Sequence, residues 1–331
     1  METGDKIAVV IPCYKVSQKV INVIKSIGPE VSKIYCIDDA CPENSGDIIE
    51  RYATDDRVKV IRHTINGGVG KAVLTGYRQA IIDGAKIIVK LDGDGQMDAS
   101  FITEIIQPLV SGEADYVKGN RFYNIDSLKK MPKTRIIGNA GLSFLTKMSS
   151  GYWNLFDPTN GFTAINSAVA NELNFDKIHN RFFFESDMLF HLSLLQAKII
   201  EVPMDAFYSD EKSNLNIWKS LFEFPVYHLK NFVMRIFYNY FLRNFSIASL
   251  NLIIGLPLLL FGVIFGLSTW LTNLSKAVTS PAGTVMLSAL PIIVGFQMLI
   301  SFLNYDISTV PDKTINQKII EYRTIKKQLE K

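Results

Sequence analysis

A strong charge of either sign is missing from this 331-residue chain: 35 Lys and Arg against 32 Asp and Glu leave a formal net charge of +3. That gives no case for a nucleic-acid partner. Cysteine is scarce. Cys13, Cys36 and Cys41 are odd in number, and their chain is expected to face a reducing compartment, so no disulfide framework is expected. The Cys36/Cys41 spacing fits no zinc pattern. His63, His179, His191 and His228 form no H-E-x-x-H and each reads as structural. The absence of a G-x-S-x-G elbow removes a hydrolase triad. A P-loop needs glycine at 65 and Ser or Thr at 72, where the chain has Ile65 and Ala72. A dinucleotide fingerprint should follow the first strand, where Pro12-Cys13-Tyr14 stands instead. At the N-terminus, Glu2 and Asp5 occupy the place of a positive n-region and no apolar h-region follows, so no signal peptide is expected.

Charge is also missing locally. Residues 244–275 and 277–305 carry none, and each stretch holds the roughly 20 apolar residues that cross a ~30 Å hydrocarbon core. Ile247–Leu271 and Thr284–Leu303 are therefore predicted to be transmembrane helices, with Pro257 and Pro291 tolerable inside them. Lys219, Lys230, Arg235 and Arg243 precede the first, and Lys313, Lys318, Arg323, Lys326 and Lys327 follow the second. The loop between carries only Lys276. This bias predicts a multi-pass protein of the cytoplasmic membrane, with the large preceding domain and both termini in the cytoplasm.

The first two hundred residues alternate strand and helix patterns. Strands are expected at Lys6–Pro12, Lys33–Ile37, Val58–Arg62, Lys86–Leu91 and Ala114–Lys118. Helices are expected at Ser17–Ile27 (Ser17 as N-cap), Asn44–Tyr52, Val69–Asp83 and Asp98–Leu109. This order argues for an α/β fold with an open, mostly parallel sheet. Beyond residue 120 the pattern is less regular, with helices expected around Ile137–Ser149 and Ser186–Gln196 and strands near Thr163–Asn166 and Lys198–Val202. Between 215 and 243, aromatics interleave with basic residues, as in amphipathic helices lying in a membrane interface. The expected organisation is a catalytic domain over 1–214, juxtamembrane helices over 215–243, a transmembrane hairpin over 244–305 and a cytoplasmic tail over 306–331.

Ligands of such sheets bind beyond the carboxyl ends of the strands. Asp92-Gly93-Asp94-Gly95-Gln96 follows the fourth strand, and two carboxylates one residue apart can share Mg²⁺ or Mn²⁺ with a diphosphate. Asn66-Gly67-Gly68-Val69-Gly70-Lys71 follows the third strand and opens a helix. Its glycines would let backbone approach phosphate or sugar at a helix N-terminus. Asp38-Asp39 ends the second strand, placed either to accept hydrogen bonds from a base or ribose or to form a solvated turn.

Together the segments VVIPCY (9–14), IDDACPENS (37–45), NGGVGKAVLTGY (66–77), KLDGDGQMD (90–98), KGNRF (118–122), DPTNGFTAI (157–165) and RFFFESDM (181–188) resemble, in order, the family 2 glycosyltransferases of GT-A fold. They are most similar to the polyisoprenyl-phosphate branch. The resemblance implies a Rossmann-like GT-A catalytic domain with interfacial helices and two C-terminal transmembrane helices. It implies a nucleotide-sugar donor, a polyisoprenyl phosphate acceptor such as undecaprenyl or dolichyl phosphate, contact with membrane lipids, and Mg²⁺ or Mn²⁺. Pro12, Tyr14, Asp39, Asn66, Gly70, Lys71 and Asp92 would hold the nucleotide. Asp92, Asp94 and Gln96 would ligate the metal. Arg121 and Arg135 match phosphate-contacting positions, Asp157 lies in the acceptor-region motif, and Glu185 would orient sugar or acceptor. The chain departs from D-G-S-x-D-x-T after the second strand, reading Asp39-Ala40-Cys41-Pro42-Glu43-Asn44-Ser45. It also departs from R-x-x-G-x-S-[KR] at 208–214, where Lys212 would replace an arginine over the donor. UDP-glucose is the favoured donor, with GDP-mannose and UDP-N-acetylhexosamine open. A processive polysaccharide synthase would need more spans and a Q-x-x-R-W motif. A non-catalytic membrane scaffold is opposed by the intact acidic turn, and a nucleotidyltransferase by the position of the glycine loop. Homo-oligomerisation through the spans or tail has no specific motif.

Overall fold

The computed structural model describes residues 6–123, 133–204 and 217–329. A seven-stranded sheet runs in the order β3-β2-β1-β4-β6-β5-β7. Its strands are β1 (Ile7–Cys13), β2 (Lys33–Asp38), β3 (Val58–Arg62), β4 (Ile87–Lys90), β5 (Tyr116–Asn120), β6 (Thr163–Asn166) and β7 (Ile199–Pro203). The strands β3, β2, β1 and β4 are parallel; β1, β2 and β4 are apolar runs buried on both faces, as the interior of a parallel sheet requires, and β3 is its partly exposed edge. The departure is β6, which pairs antiparallel to both β4 and β5, while β7 rejoins β5 in parallel. Because β6 is reversed, the chain segment that precedes it arrives at the same sheet edge where β4 and β5 end.

Helices α1 (Val20–Ser26) and α4 (Ile102–Val110) cover one face. There Val20, Val23, Ile24, Ile102, Ile105 and Ile106 close over Ile7, Val9 and Ile11. On the opposite face α3 (Val69–Ile82) lies so close to β1 that a Cβ on Gly76 would collide with Val10 Cγ1. Helices α2 (Ser45–Tyr52), α5 (Lys133–Ser150), α6 (Ser167–Glu172) and α7 (Phe184–Leu194) are further helices among the described residues around the sheet.

Several boundaries differ from expectation for local reasons. Ser17 is not a cap: α1 begins at Val20, and the Ser17 hydroxyl donates to Glu43 instead. Residues 99–101 form a 3₁₀ turn, capped by Asp98 accepting from the Ser100 amide, before α4 proper. The fifth strand begins two residues later than expected. Over 217–243 there is one helix, α8 (Ile217–Phe237), ending in a π-helical turn at Tyr238–Arg243.

The chain divides into two compact units, one formed by 1–232 with 311–331 and the other by 233–310. In the second unit α9 (Ile247–Ser275) and α10 (Ala282–Ser308) have mean hydropathies of 2.4 and 2.1 over their most apolar windows and bury little of those windows. They pack through small residues: Gly255 and Gly295 each lie against the other helix's backbone, and Ser288 donates to the Gly262 carbonyl at 2.9 Å. At the base of this hairpin the Arg235 guanidinium forks onto Asp306 at 2.6 and 2.9 Å, and the Tyr240 hydroxyl donates to the same carboxylate. The tail helix α11 (Ile315–Leu329) belongs to the first unit.

Candidate active site

The ends of β1, β2, β3, β4 and β5 open on one sheet edge, and every motif read from the sequence within the described residues lies there or on a segment packed against it. The acidic turn follows β4, with Gly95 at φ +73 where a side chain would be strained. Asp92, Asp94 and Gln96 are half-buried, and the Gln96 amide donates to Asp94 Oδ1 at 3.0 Å.

Lys90, the last residue of β4, lies beneath them and was not singled out from the sequence. Its ammonium is 2.9 Å from Asp92 Oδ1 and 3.0 Å from Glu185 Oε1, with the side chain 1% exposed. Burial pushes this lysine down, but the two carboxylates outweigh it and hold it above its ordinary value. The only visible signal was a charged residue closing an otherwise apolar strand.

Lys90 pairs across the ladder with Thr163, Thr163 with Lys118, and Lys118 with Glu201. Opposed residues in a sheet share a face, so these four polar side chains form one transverse row. Lys118 is fully buried and donates to the Asn160 carbonyl at 2.6 Å. Burial pushes its ammonium down to about 8 against the pull of the Glu185 and Asp157 carboxylates. Glu201 accepts the amides of Phe156 and Asp157 at 2.8 and 2.7 Å. Lys118 and Glu201 thus seat the 156–162 loop. That loop presents Asp157, fully buried, to Arg121, whose Nε and Nη2 reach its two oxygens at 2.7 and 2.9 Å. It also brings Gly161 so close that a Cβ there would stand 2.8 Å from Asp92 Oδ2. The acidic turn, Glu185 and the Arg121–Asp157 pair therefore meet.

On the other side of the edge, Tyr14 is exposed, Pro12 half-buried, and Asn66 donates to the Asp39 carbonyl at 3.1 Å. The glycine loop is built differently from an open anion cradle. The amides of Gly67 and Gly68 go to the Asp39 carboxylate at 2.8 and 2.7 Å, and the Lys71 amide goes to the Asn180 carbonyl at 3.0 Å. Gly68 and Gly70 are small because the 179–181 backbone presses on them: a Cβ would lie 2.7 Å from Asn180 O and 2.5 Å from His179 O respectively. Arg135 lies in the first turn of α5, and Lys212 lies outside the described residues.

Among the described residues no group of three or more His, Cys, Asp or Glu could hold a metal ion alone. The donor set suits a shared site instead, because Mg²⁺ and Mn²⁺ at phosphate sites take one or two carboxylates and complete their oxygen shell with substrate and water. Asp92 and Asp94 with the Gln96 amide oxygen are of that kind.

Residues 8–173 match the family described as "Glycosyl transferase family 2". Among curated proteins, the chain is 29% identical over 218 residues to a UDP-N-acetylglucosamine–dolichyl-phosphate N-acetylglucosaminyltransferase of Methanococcus voltae, covering 62% of this chain and 86% of that one. It is 26% identical to an undecaprenyl-phosphate mannosyltransferase of Micrococcus luteus, over 60% of this chain and 82% of that one. Among solved structures, glucosyl-3-phosphoglycerate synthase from Mycobacterium tuberculosis, in complex with Mn²⁺, UDP and glucosyl-3-phosphoglycerate, superposes with a TM-score of 0.53. The match covers 71% of this chain and 81% of that one at 15% identity, and it establishes a shared fold.

Proposed function

The chain belongs to glycosyl transferase family 2, and from that premise we propose that it carries a hexose from a nucleotide-sugar, UDP-glucose by preference, onto a polyisoprenyl phosphate with inversion. The observation that carries the reading is the meeting of two halves. The acidic turn after β4 touches the 156–162 loop that holds Arg121 and Asp157, so a donor diphosphate and an acceptor phosphate have adjoining places. Sequence relatives named for transfer to dolichyl phosphate and undecaprenyl phosphate support the acceptor class.

Asp92, Asp94 and Gln96 would hold Mg²⁺ or Mn²⁺ with the diphosphate, as the UDP complex of the mycobacterial neighbour contains Mn²⁺. Bound there, it would supply positive charge against the charge building up on the departing nucleoside diphosphate. The rest is the work of the chain's own side chains. A lipid phosphate is already anionic near pH 7 and needs little deprotonation, so alignment with the anomeric carbon dominates. Arg121 and Arg135 are assigned to the phosphate, Arg121 as the guanidinium that Asp157 orients. Glu185, held by Lys90, orients the sugar or acceptor. Pro12, Tyr14, Asp39, Asn66, Gly70, Lys71 and Asp92 are assigned to the nucleotide, with Lys212 closing over it.

We assign α9 and α10 to the bilayer and the catalytic unit with both termini to its cytoplasmic face. After α10 the chain rejoins the catalytic unit, where the Ile315 amide donates to Asp115 and Lys318 to the Gln196 carbonyl. A pair of crossings satisfies that return, and the Lys and Arg bias sets its direction. The exposed stripe Phe222, Val226, Leu229, Val233 and Phe237 on α8 suits the lipid interface.

The test is incubation of the purified protein with undecaprenyl phosphate, Mn²⁺ or Mg²⁺, and separately UDP-glucose, UDP-N-acetylglucosamine and GDP-mannose, with the glycolipid identified by mass. A lipid-linked hexose from UDP-glucose is the expected product. A product from another donor alone overturns the donor assignment, and no lipid-linked product from any donor overturns the reading.

A further inference from the structure

His63 stands one residue beyond β3, at the same edge as the donor side, and the proposed chemistry makes no use of it. Its ring is clasped from two elements. Nδ1 is 2.7 Å from Asp39 Oδ1, and Nε2 is 2.9 Å from the Thr75 hydroxyl on α3. Its own amide donates to the Asp38 carbonyl at 2.8 Å. The carboxylate it meets is 2% exposed and already accepts the Gly67 and Gly68 amides, one on each oxygen. A carboxylate accepting from two amides can only accept again, so the Nδ1 that faces it carries a proton in either charge state of the ring. Three donors fill most of the acceptor capacity of Asp39. Asp39 therefore acts on a nucleotide through the turn it builds as well as through any acceptor position it keeps. That turn carries Asn66 at one end and Lys71 at the other, both assigned to the nucleotide.

Resting on that assignment of the edge to the donor, we infer that His63 is a positioning residue for the nucleotide-sugar. Its Nδ1–H orients the Asp39 carboxylate, Asp39 orients the Gly67–Gly68 turn, and the turn sets Asn66 and Lys71. The Thr75 hydroxyl steadies the ring from the far side. Nothing in the chain of contacts reaches the 156–162 loop, so the effect belongs to the donor and not to the acceptor.

The experiment compares the full-length protein with His63→Leu, His63→Asn and His63→Gln. It measures calorimetric affinity for UDP and for GDP with Mn²⁺, and separate KM values for donor and acceptor. Loss of one charge-assisted hydrogen bond is worth roughly tenfold or more, so His63→Leu is expected to weaken nucleoside diphosphate binding and raise donor KM at least about tenfold. Acceptor KM and kcat at saturating donor stay near wild type. An asparagine amide nitrogen falls near the place of Nδ1 and keeps the Asp39 bond, whereas a glutamine amide reaches the place of Nε2 and loses it. His63→Asn therefore retains most of the affinity and His63→Gln behaves like His63→Leu. Unchanged nucleotide affinity in His63→Leu overturns the inference, as does equal loss in all three variants accompanied by a lowered Tm, the mark of a purely structural role. If the wild type binds neither diphosphate, the donor reading itself fails, and this inference with it.

Discussion

Asp94 separates from Asp92 by what each already holds. Asp92 faces the Lys90 ammonium on one oxygen and the Gly161 backbone near the other, while Asp94 organises its own turn by accepting the Gln96 amide. Asp94→Asn keeps that turn but halves the charge offered to a diphosphate-bound cation. It is expected to lower turnover at least about 100-fold, the scale of losing one preorganised charge stabiliser. Near-normal turnover with donor and metal saturating would remove Asp94 from the catalytic set. Ala40 marks a different kind of departure. It sits at φ 51, in the left-handed region where the related pattern carries glycine. A Cβ there costs roughly 1 kcal/mol or more, offset in part by the greater unfolded-state freedom of glycine. Ala40→Gly is therefore expected to raise stability by up to about 1 kcal/mol in a denaturant or thermal melt, and a lower melting point would show that the surrounding turn prefers alanine. Both positions were visible in the sequence because their signal is local: an acid pair after an apolar strand, a missing glycine after another. Lys90, Lys118 and Glu201 were not, because what defines them is a cross-strand row that forms only once β6 has turned antiparallel between β4 and β5.

Strand and helix order up to β5 could be read from hydrophobic runs, since β1, β2 and β4 are buried on both faces and leave nearly unbroken apolar segments. Beyond β5 the strands near Thr163–Asn166 and Lys198–Val202 were also legible, and β6 and β7 stand there, but their pairing was not, because the neighbours of β6 and β7 in the sheet are distant in sequence. The glycine loop shows the same limit: glycine at 68 and 70 was legible, but its cause, the 179–181 backbone pressed against α3, was not. Helix α8 was legible as aromatic and basic but not in how its faces divide. One face packs Phe224, Tyr227 and His228 around Phe183, and the other leaves Phe222, Val226 and Leu229 exposed. His228 is the group that ties this packing to pH. It is fully buried, meets the Ser149 hydroxyl through Nδ1 at 2.8 Å, and its Nε2 finds no partner among the described residues. Burial pushes it down to about 4 from an ordinary 6.5. Between those values the unfolded chain takes up a proton that the folded one refuses, so stability is whole above about 6.5 and is lost as pH falls toward 4. The loss is on the order of 3 kcal/mol across the window. A melting series over that range should show the slope in the wild type and a flatter one in His228→Leu; identical slopes would move the acid sensitivity elsewhere.

The path of the chain through its two units gives the tail a role that composition alone hides. The polar residues from 306 on are expected only as a cytoplasmic tail, yet Thr314 is buried and the tail helix opens on an acceptor supplied from 200 positions earlier. The Asp115 carboxylate takes the Ile315 amide at 3.0 Å and the Lys198 amide at 2.8 Å, beside a reciprocal cap in which the Thr314 hydroxyl accepts the Gln317 amide at 3.2 Å and the Thr314 amide donates to the Gln317 side chain at 3.0 Å. Lys318 adds a bond to the Gln196 carbonyl at 2.8 Å. Asp115 is 3% exposed, and burial raises its carboxyl above the usual range while these amides oppose the rise. The chain thus leaves the catalytic unit through the continuous α8 and, after the hairpin, is fastened back onto that unit by this dock. Removing the dock should free the tail without unfolding the sheet. In Asp115→Ala, the amides from Ile315 to Lys318 are expected to exchange with deuterium at least about tenfold faster, the scale of losing a buried charge-assisted acceptor. Those of β7 from Ile200 onward stay protected, and Lys318→Met shows the same change more weakly. Protection of α11 that survives both substitutions would mean the tail is held by something other than Asp115 and the Gln196 carbonyl.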